Sequence, residues 1–474
     1  MTNTSKQRGR RSRLPLLCLA LLFFLGGCIS PEELMMAPGA APQYEKLQNL
    51  IDLLLSEGLA YSAPATGDYR SPVEFKDLDS DGEEEAVVFL RGTSDGATDA
   101  QMAVFVPSEG GFEPPVRIIE NADSVRSIAF HDFNGDGKLE ITVGWSLANH
   151  HSISVYSLTD DPANEGINEI LSEPYSEFVV YDEEDGEAPS LFLIEMTALP
   201  SAADASTTEF IGVAELFASR DGEMRSLASA ELSRGAEAVK RVRTTPLSDG
   251  KPGFLVASQY KVFNDLTGEV NGEITDVFTY RDGILVNISR DMETGISTAL
   301  IREIEIPADD IDEDGVLDLP QPILLNPYPG AEEVFPVYEI LWRSYDSNGA
   351  SAQTARTYYN RTRGWFLLLP EQWPDAGRYT VRRITVSENP VHTMTTFSLL
   401  DEDGGATEFL TVYYFIRQTG ENPRISGRTV LVDESLLLVT ADLTPLKGFS
   451  ISEERLKNMF RRIPIEWGAG FDGA

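Results

Sequence analysis

The chain has 474 residues, of which 42% are hydrophobic, enough to bury a large core and to build two domains or more. It carries 76 Asp and Glu against 38 Lys and Arg, a formal net charge of −38. So large a negative excess argues against nucleic acid as a partner, because the phosphate backbone would be repelled.

The first 27 residues have the pattern of a bacterial export signal. A basic stretch from Lys6 to Arg13 precedes an apolar run from Leu14 to Leu25. This run is shorter than the roughly 20 residues that a membrane span needs. It ends in Leu25-Gly26-Gly27-Cys28, which resembles a lipobox, the tetrapeptide whose cysteine is acylated and becomes the N-terminus of a bacterial lipoprotein. We therefore predict a signal peptide over 1–27 and a lipid anchor on Cys28, which holds the protein on the extracytoplasmic side of a bacterial membrane.

Cleavage at this point removes Cys18 and leaves Cys28 as the one cysteine of the mature chain. With its sulfur occupied by lipid no disulfide can form, so the fold depends on core burial and on any bound metal. The mature chain keeps 33 Lys and Arg against 76 Asp and Glu, a net charge of −43. Residues 28–42 are rich in Pro, Ala and Gly and are predicted to be a flexible tether. The apolar spacing that follows predicts an amphipathic helix over residues 43–57.

Three short segments place oxygen-bearing side chains at positions 1, 3, 5 and 9 and a glycine at position 6. These are loop 1 (Asp77, Asp79, Asp81 and Glu85), loop 2 (Asp132, Asn134, Asp136 and Glu140) and loop 3 (Asp310, Asp312, Asp314 and Asp318). The position-7 residues Glu83, Lys138 and Val316 complete the set of candidate metal residues. Calcium takes six to eight oxygen ligands. Side chains at alternate positions of a tight turn can point inward and supply them. The pattern therefore predicts structural calcium.

The flanks of these loops distinguish them from an EF-hand. Position 12 of loop 2 is Val143, where an EF-hand needs a bidentate Glu, and the residues on both sides are β-rich. The loops are therefore predicted to join strands. The alternative for any single copy is an acidic surface turn without metal, since Asp, Asn and Gly favour turns. Repetition at fixed internal spacing favours calcium.

This pattern resembles the integrin-α-like FG-GAP or VCBS repeats, whose blades carry a D-x-[DN]-x-[DN]-G-x-x-[DE] loop between neighbouring strands. The resemblance covers about residues 70–370 and is clearest at Phe75–Gly82 and Phe130–Gly137. It implies a β-propeller in which the side chains at positions 1, 3, 5 and 9 bind calcium. Two further copies, at 181–186 and 247–251, are incomplete, and no metal is predicted there.

Short β-rich runs separated by Gly, Asp and Asn turns fill residues 72 to about 370. Repeat starts near residues 72, 124, 176, 239 and 301 predict five blades, and six or seven remain open if the end of the chain supplies more. We predict a mainly β protein in which residues 43–370 form the N-terminal helix and the propeller, and residues 371–474 form a small α+β domain. Its last helix would be capped by Ser450 and Glu453 and would bury Leu456, Met459, Phe460 and Ile463.

Recognisable catalytic motifs are lacking in the sequence. The pair His150-His151 cannot chelate zinc as an HExxH helix does, because adjacent side chains diverge, and there is neither a G-x-S-x-G elbow nor a P-loop. Four tryptophans offer a ligand platform, but core packing is the preferred interpretation for them. They are Trp145, Trp342, Trp365 and Trp373.

The leading interpretation is a non-enzymatic binding or scaffold lipoprotein that is held at the membrane by its lipid. Calcium would stabilise its blades, and its loop surfaces would contact an unknown protein or glycan ligand. The first alternative is a cell-envelope enzyme that acts on glycans through paired carboxylates in the central funnel. The second is an assembly or sensor lipoprotein of a membrane complex.

Overall fold

The structure, a computed structural model, describes residues 42–463 except 95, 160–165, 183–187, 201–207, 265–267, 331–335, 388–391, 418–426 and 447–448. Cys28, the predicted signal peptide and nearly all of the predicted tether lie outside the described residues. The described chain is mainly β, with two α-helices, α1 (Pro42–Ser56) and α2 (Glu453–Met459). Neither helix is long and apolar enough to cross a membrane.

The described part of the chain divides into two compact units, one within residues 42–65 and 69–125, the other within residues 66–68 and 126–463. The first unit contains α1 and sheet 1. Sheet 1 consists of β1 (Leu59–Tyr61), β2 (Val73–Lys76), β3 (Glu85–Gly92), β4 (Ala100–Phe105) and β7 (Val116–Glu120), and the hairpin of β5 (Pro107–Ser108) and β6 (Gly111–Phe112) lies between β4 and β7 in the chain. The helical spacing of Leu47, Ile51 and Leu54 buries one face of α1 against sheet 1. The predicted N-terminal helix is thereby confirmed.

Five further antiparallel sheets follow in chain order. Sheet 2 contains β8 (Ser124–His131), β9 (Glu140–Leu147), β10 (His150–Leu158) and β11 (Ile167–Pro174); sheet 3 contains β12 (Glu177–Tyr181), β13 (Ser190–Pro200), β14 (Thr208–Arg220) and β15 (Glu223–Glu231). Sheet 4 contains β16 (Ala236–Pro246), β17 (Pro252–Asn264), β18 (Gly268–Arg281), β19 (Ile284–Asn287) and β20 (Ile301–Arg302); sheet 5 contains β21 (Leu319–Leu324), β22 (Tyr338–Tyr345), β23 (Ser351–Asn360) and β24 (Trp365–Leu368). Sheet 6 contains β25 (Tyr379–Val386), β26 (His392–Leu400), β27 (Ala406–Ile416), β28 (Thr429–Asp433) and β29 (Leu437–Leu443), and the last strand, β30 (Phe460–Arg462), returns to the edge of sheet 5. Three 3₁₀ turns lie at Thr298–Leu300, Arg361–Arg363 and Ala376–Arg378.

Each of sheets 2 to 5 shares an apolar core with the next sheet in the chain. Sheets 2 and 3 meet at Val155 and Leu193, and sheets 3 and 4 meet at the stacked rings of Phe192 and Phe254, whose centroids are 4.3 Å apart. Further clusters join sheet 4 to sheet 5 and sheet 5 to sheet 6. The strands pair in chain order within sheets 2 and 3 and from β16 to β19 of sheet 4, as expected for antiparallel meanders with short connections.

The predicted repeat starts correspond to strand starts in four of five cases. The starts near residues 72, 124, 176 and 239 lie within three residues of the beginnings of β2, β8, β12 and β16. The fifth, near residue 301, falls on β20, which pairs with sheet 4, whereas sheet 5 begins at Leu319. The period read from the sequence thus corresponds to one antiparallel sheet.

The C-terminal helix is shorter than predicted and begins later. Ser452, not Ser450, is its N-cap, because the Ser452 side chain accepts a hydrogen bond from the Arg455 N–H at 3.2 Å. Leu456 and Met459 are buried, as expected. Phe460 instead begins β30, where the free edge of β24 supplies backbone partners that a longer helix would not use.

The predicted boundary at residue 371 falls between two sheets with a common core. Tyr358 and Trp365 of sheet 5 pack in one cluster with Phe397 and Val412 of sheet 6, and Trp373 of the connecting segment is 2% exposed. Whether residues 371–474 fold by themselves stays a prediction, and the whole-molecule test below addresses it.

Candidate functional site

The three acidic loops lie at the ends of strands, where the chain reverses direction. Loop 1 joins β2 to β3 and loop 2 joins β8 to β9, whereas loop 3 is closed by a β-bridge between Asp309 and Asp318 and leads into β21. The position-6 glycine has a left-handed backbone in each loop. The φ angles are 93° at Gly82, 88° at Gly137 and 89° at Gly315. A side chain is strained at such angles, which explains why this position is glycine.

The same backbone hydrogen bonds shape all three loops. The position-1 carboxylate accepts from the N–H of the position-6 glycine in every copy. The N–O distances are 3.1 Å from Gly82 to Asp77, 2.8 Å from Gly137 to Asp132 and 2.8 Å from Gly315 to Asp310. The position-5 carboxylate accepts from the position-7 N–H at 2.8 Å in every copy: Glu83 donates to Asp81, Lys138 to Asp136 and Val316 to Asp314. The loops are therefore one motif in geometry as well as in sequence.

The position-9 carboxylate is buried in every loop. Glu85 and Glu140 are 0% exposed and Asp318 is 1% exposed. One oxygen of each accepts from the position-2 N–H, which Leu78, Phe133 and Ile311 donate at 2.7, 2.7 and 3.2 Å. In loop 2 the Phe133 ring also enters the core between sheets 2 and 3, so packing fixes the loop to the fold.

Burial makes these carboxylates reluctant to ionise. Burial, assisted by the nearby charges of Asp79 and Asp81 and opposed by the hydrogen bond from Leu78, raises the pKa of Glu85 to about 7. Burial likewise raises the pKa of Glu140 and that of Asp318 to about 6. A cation at the loop would counter both effects, because an opposite charge favours the ionised form.

Loop 1 leaves two buried carboxylate oxygens without a partner. Among the described residues, no donor lies within hydrogen-bond distance of Asp77 Oδ1 or Glu85 Oε1. Oxygens of Asp77, Asp79 and Glu85 lie within 4.8 Å of one another. Buried oxygens without partners are costly, and carboxylate oxygens are the ligands that calcium prefers. The donor set of loop 1 therefore fits a calcium ion.

Loops 2 and 3 instead supply protein donors to the buried carboxylate. Glu140 Oε1 accepts from Asn134 Nδ2 at 2.9 Å and from Ser157 Oγ at 3.2 Å. Asp318 Oδ1 accepts from Thr354 Oγ1 at 2.7 Å. Oxygens of Asp310, Asp312 and Asp314 still lie within 4.8 Å of one another in loop 3. Neither Ser157 nor Thr354 was identified from the sequence, since both lie on later strands and nothing local indicates the contact.

A cleft of about 390 Å³ lies elsewhere in the second unit, between β8, β12 and residues 66–68. Its walls include Asp68, His131, Glu177 and Phe178. Arg126 Nη2 donates to Glu177 at 2.6 Å, so this carboxylate already has a cationic partner. Burial lowers the pKa of His131, which favours the neutral ring. The volume is within the range of about 300–1,000 Å³ typical of small-molecule sites.

The four tryptophans singled out in the sequence belong to the core. Trp145, Trp342, Trp365 and Trp373 are all 2% exposed or less. The core interpretation is therefore confirmed, and none of them forms a surface platform. His151 of the adjacent histidine pair lies 3.4 Å from Arg126 Nη1 through its Nε2, beside the cationic side chain rather than beside a set of metal ligands.

No family model matches the chain, and no curated protein matches its sequence. Among solved structures, it is similar to a protein from Lactobacillus plantarum, with 8% identity and a TM-score of 0.25 over 73% of this chain and 86% of that one. It is also similar to MPT-4, a mannose phosphorylase from Leishmania mexicana, with 10% identity and a TM-score of 0.22 over 66% of this chain and 93% of that one. MPT-1, a GDP-Man-dependent mannosyltransferase from the same organism, has 10% identity and a TM-score of 0.19 over 62% and 88%. Similarities this low carry no inference about activity.

Proposed function

We propose that the chain is a lipid-anchored, extracytoplasmic binding or scaffold protein whose sheets form a β-propeller that calcium stabilises. The observation that carries the calcium part is the pair of buried, unpartnered oxygens of Asp77 and Glu85 in loop 1. The propeller arrangement is supported by the chain-order packing of sheets 2 to 6 and by their meander topology.

Calcium would act on stability by linkage. An ion that binds the folded loops and not the unfolded chain adds RT ln(1 + [Ca]/Kd), and extracellular modules bind calcium with Kd of order 10⁻⁴–10⁻³ M. At about ten times Kd each independent site adds roughly 1.4 kcal/mol, so three sites would add about 4 kcal/mol. The contribution of loop 1 should be the largest, because two of its buried oxygens, Asp77 Oδ1 and Glu85 Oε1, have no competing protein donor.

The test is differential scanning calorimetry of the mature protein, first freed of metal and then given calcium or magnesium. Calcium should raise the melting temperature, and magnesium should raise it less, because its rigid octahedral shell fits such a loop poorly. Identical melting with and without calcium, together with no bound calcium on titration, would show that the loops are ordinary acidic turns.

The anchor needs its own test because Cys28 lies outside the described residues. Cys28→Ala should abolish incorporation of labelled fatty acid in cells and leave the protein unprocessed or soluble. One acyl chain alone gives only marginal membrane binding, so stable residence requires the two or more chains of a lipoprotein. Unchanged lipid incorporation in the variant would exclude the lipobox assignment.

A glycan-active enzyme is the second candidate, and the cleft favours it by placing Asp68 and Glu177 on its walls. Hydrolysis of isolated peptidoglycan by the parent, lost in both Asp68→Asn and Glu177→Gln, would establish the enzyme. Binding without hydrolysis would support the binding protein, and crosslinking in native membranes would identify an assembly or sensor partner.

A further inference from the structure

Strand β16 contains a β-bulge that is centred on Lys240, between Val239 and Arg241. Val239 pairs with Ser258 and Arg241 pairs with Ala257, so Lys240 is an extra residue with no counterpart on β17. Bulges re-aim side chains and are frequent beside functional sites. Beyond the bulge, Arg241 and Arg243 lie two residues apart and therefore share one face of the sheet. Both are partly exposed.

Two of the cations near this face have carboxylate partners. Lys240 forms an ion pair with Glu305, and the buried Arg302 forms one with Glu273. Arg302 also donates to Thr275 Oγ1 at 2.9 Å. The available carboxylates are thereby committed to their own partners.

Arg241 lacks such a partner. Among the described residues, no carboxylate, carbonyl or hydroxyl group lies in hydrogen-bond or ion-pair contact with its guanidinium, and burial lowers its pKa. Burial, and after it the charge of Arg241, lowers the pKa of Lys240 and that of Arg302, so the three cations are within electrostatic reach of one another. The contact that Arg243 makes is with a neutral group, the Ala308 carbonyl, at 3.0 Å.

An unpaired arginine is unexpected in this chain. Acidic residues outnumber basic ones by 76 to 38, and partly buried arginines such as Arg126 and Arg356 have the carboxylate partners Glu177 and Glu339, whereas Arg241 has none. An unpaired, partly buried charge beside like charges destabilises the fold. Such an arrangement persists where function uses it.

We propose that Arg241, with Arg243 and Lys240 beside it, forms a binding site for a small oxyanion, the carboxylate, sulfate or phosphate group of a soluble ligand. The planar guanidinium presents parallel N–H donors that match two oxygens of such a group. Arg243, whose hydrogen bond is to a neutral carbonyl, adds attraction. The site shares no residue with the calcium loops, and its test measures anion binding rather than the calcium response, so it stands or fails separately from the proposed calcium role.

The test titrates the mature protein with sodium sulfate and, separately, with sodium succinate by isothermal calorimetry, with sodium chloride at equal ionic strength as the salt control. Sulfate is preferable to phosphate because phosphate precipitates calcium. We expect saturable binding in the parent, loss of binding in Arg241→Gln, and an affinity about tenfold lower in Arg241→Lys. The lysine keeps the charge and loses the parallel N–H donors of the guanidinium. Arg220→Gln removes the same charge from the exposed end of β14 and should bind as the parent does.

Thermal melting without added anion separates a ligand site from a structural role. Arg241→Gln should melt at a higher temperature than the parent, because the substitution removes repulsion toward Lys240 and Arg302. A ligand-free loss of stability in this variant, or equal anion binding in Arg241→Gln and Arg220→Gln, would overturn the proposal. Binding of sulfate without succinate would assign the site to tetrahedral oxyanions, and binding of both to oxyanions in general.

Discussion

Glu85 is the residue at which calcium and proton binding should compete. Folding raises its pKa from the ordinary 4.5 to about 7, so without calcium this carboxyl makes a contribution to stability that is fully present below pH 4.5 and is lost as the pH rises through 7. We expect Glu85→Gln to match the parent at pH 4 and to exceed its free energy of unfolding at pH 8 by about 1–2 kcal/mol, a value that allows for solvent screening. Urea unfolding of metal-free protein across this range measures the difference.

Glu84→Gln is the matched control for this prediction, since it removes the same charge from an exposed neighbour. It should leave the pH profile unchanged. Glu140 and Asp318 also have raised pKa values and will titrate in both variants, so the difference between profiles, rather than either profile alone, reports on Glu85. A constant difference from pH 4 to pH 8 would contradict the assignment.

At the scale of the element, the three loops have the same backbone hydrogen bonds and differ in which groups donate to the buried position-9 carboxylate. Asp77→Asn should remove a third or more of the calcium-dependent rise in melting temperature, because loop 1 has the unpartnered oxygens. Asp132→Asn should leave most of that rise intact. It should nevertheless cost about 1 kcal/mol without calcium, because Asp132 accepts from Gly135, Asp136 and Gly137. Calorimetry with and without calcium separates the two effects.

Both substitutions remove one negative charge from position 1 of a loop, so each serves as the control for the other. Equal loss of the calcium response in the two variants would mean that Asn134 and Ser157 give way to the ion and that loops 1 and 2 bind alike.

At the scale of the whole molecule, one buried polar network connects sheet 5 to the segment after residue 370. Glu339 accepts from Arg356 Nε at 2.6 Å and from the Tyr379 hydroxyl at 2.7 Å. Arg356 also donates to the Pro374 carbonyl at 2.8 Å. Removing one partner of a buried pair costs about 3–5 kcal/mol, so Glu339→Ala should unfold far more easily than the parent. Limited proteolysis should then cut this variant near residues 371–377.

Glu371→Ala removes a charge from the exposed start of the same segment and should have little effect. In the parent we expect one cooperative transition and slow cleavage, because the network and the shared core hold sheets 5 and 6 together. Stable fragments of both halves from the parent would instead support the separable domain that the sequence suggests.

Local patterns account for most of what the sequence predicted. Alternation and turn residues identified the strands, the 3.6-residue spacing identified α1, and the loop motif identified Gly82, Gly137 and Gly315 as turn positions. The features that the sequence could not indicate depend on contacts between distant segments. Ser157 reaches Glu140 across 17 residues, and Thr354 reaches Asp318 across 36.

The same reason explains the errors and omissions. Phe460 lies in a strand and not in the predicted helix because the edge of β24, far earlier in the chain, supplies backbone hydrogen-bond partners. The missing partner of Arg241 is a property of its surroundings, which sequence spacing does not reveal. Secondary-structure propensity determines an element where no tertiary contact competes with it, and tertiary contacts determine the other elements.

The pairing of β30 with β24 also means that the edge of β24 is covered only after the end of the chain has been synthesised. β24 ends at Leu368, and the strand that covers its edge begins about 90 residues later, at Phe460. At about 5–20 residues per second of synthesis, that edge would wait on the order of 5–20 s for its partner, and an open edge can pair with another chain. A chain that stops before Phe460 would carry the open edge permanently, so secretion of such a truncated protein should yield sheet-mediated aggregates rather than a slightly smaller monomer.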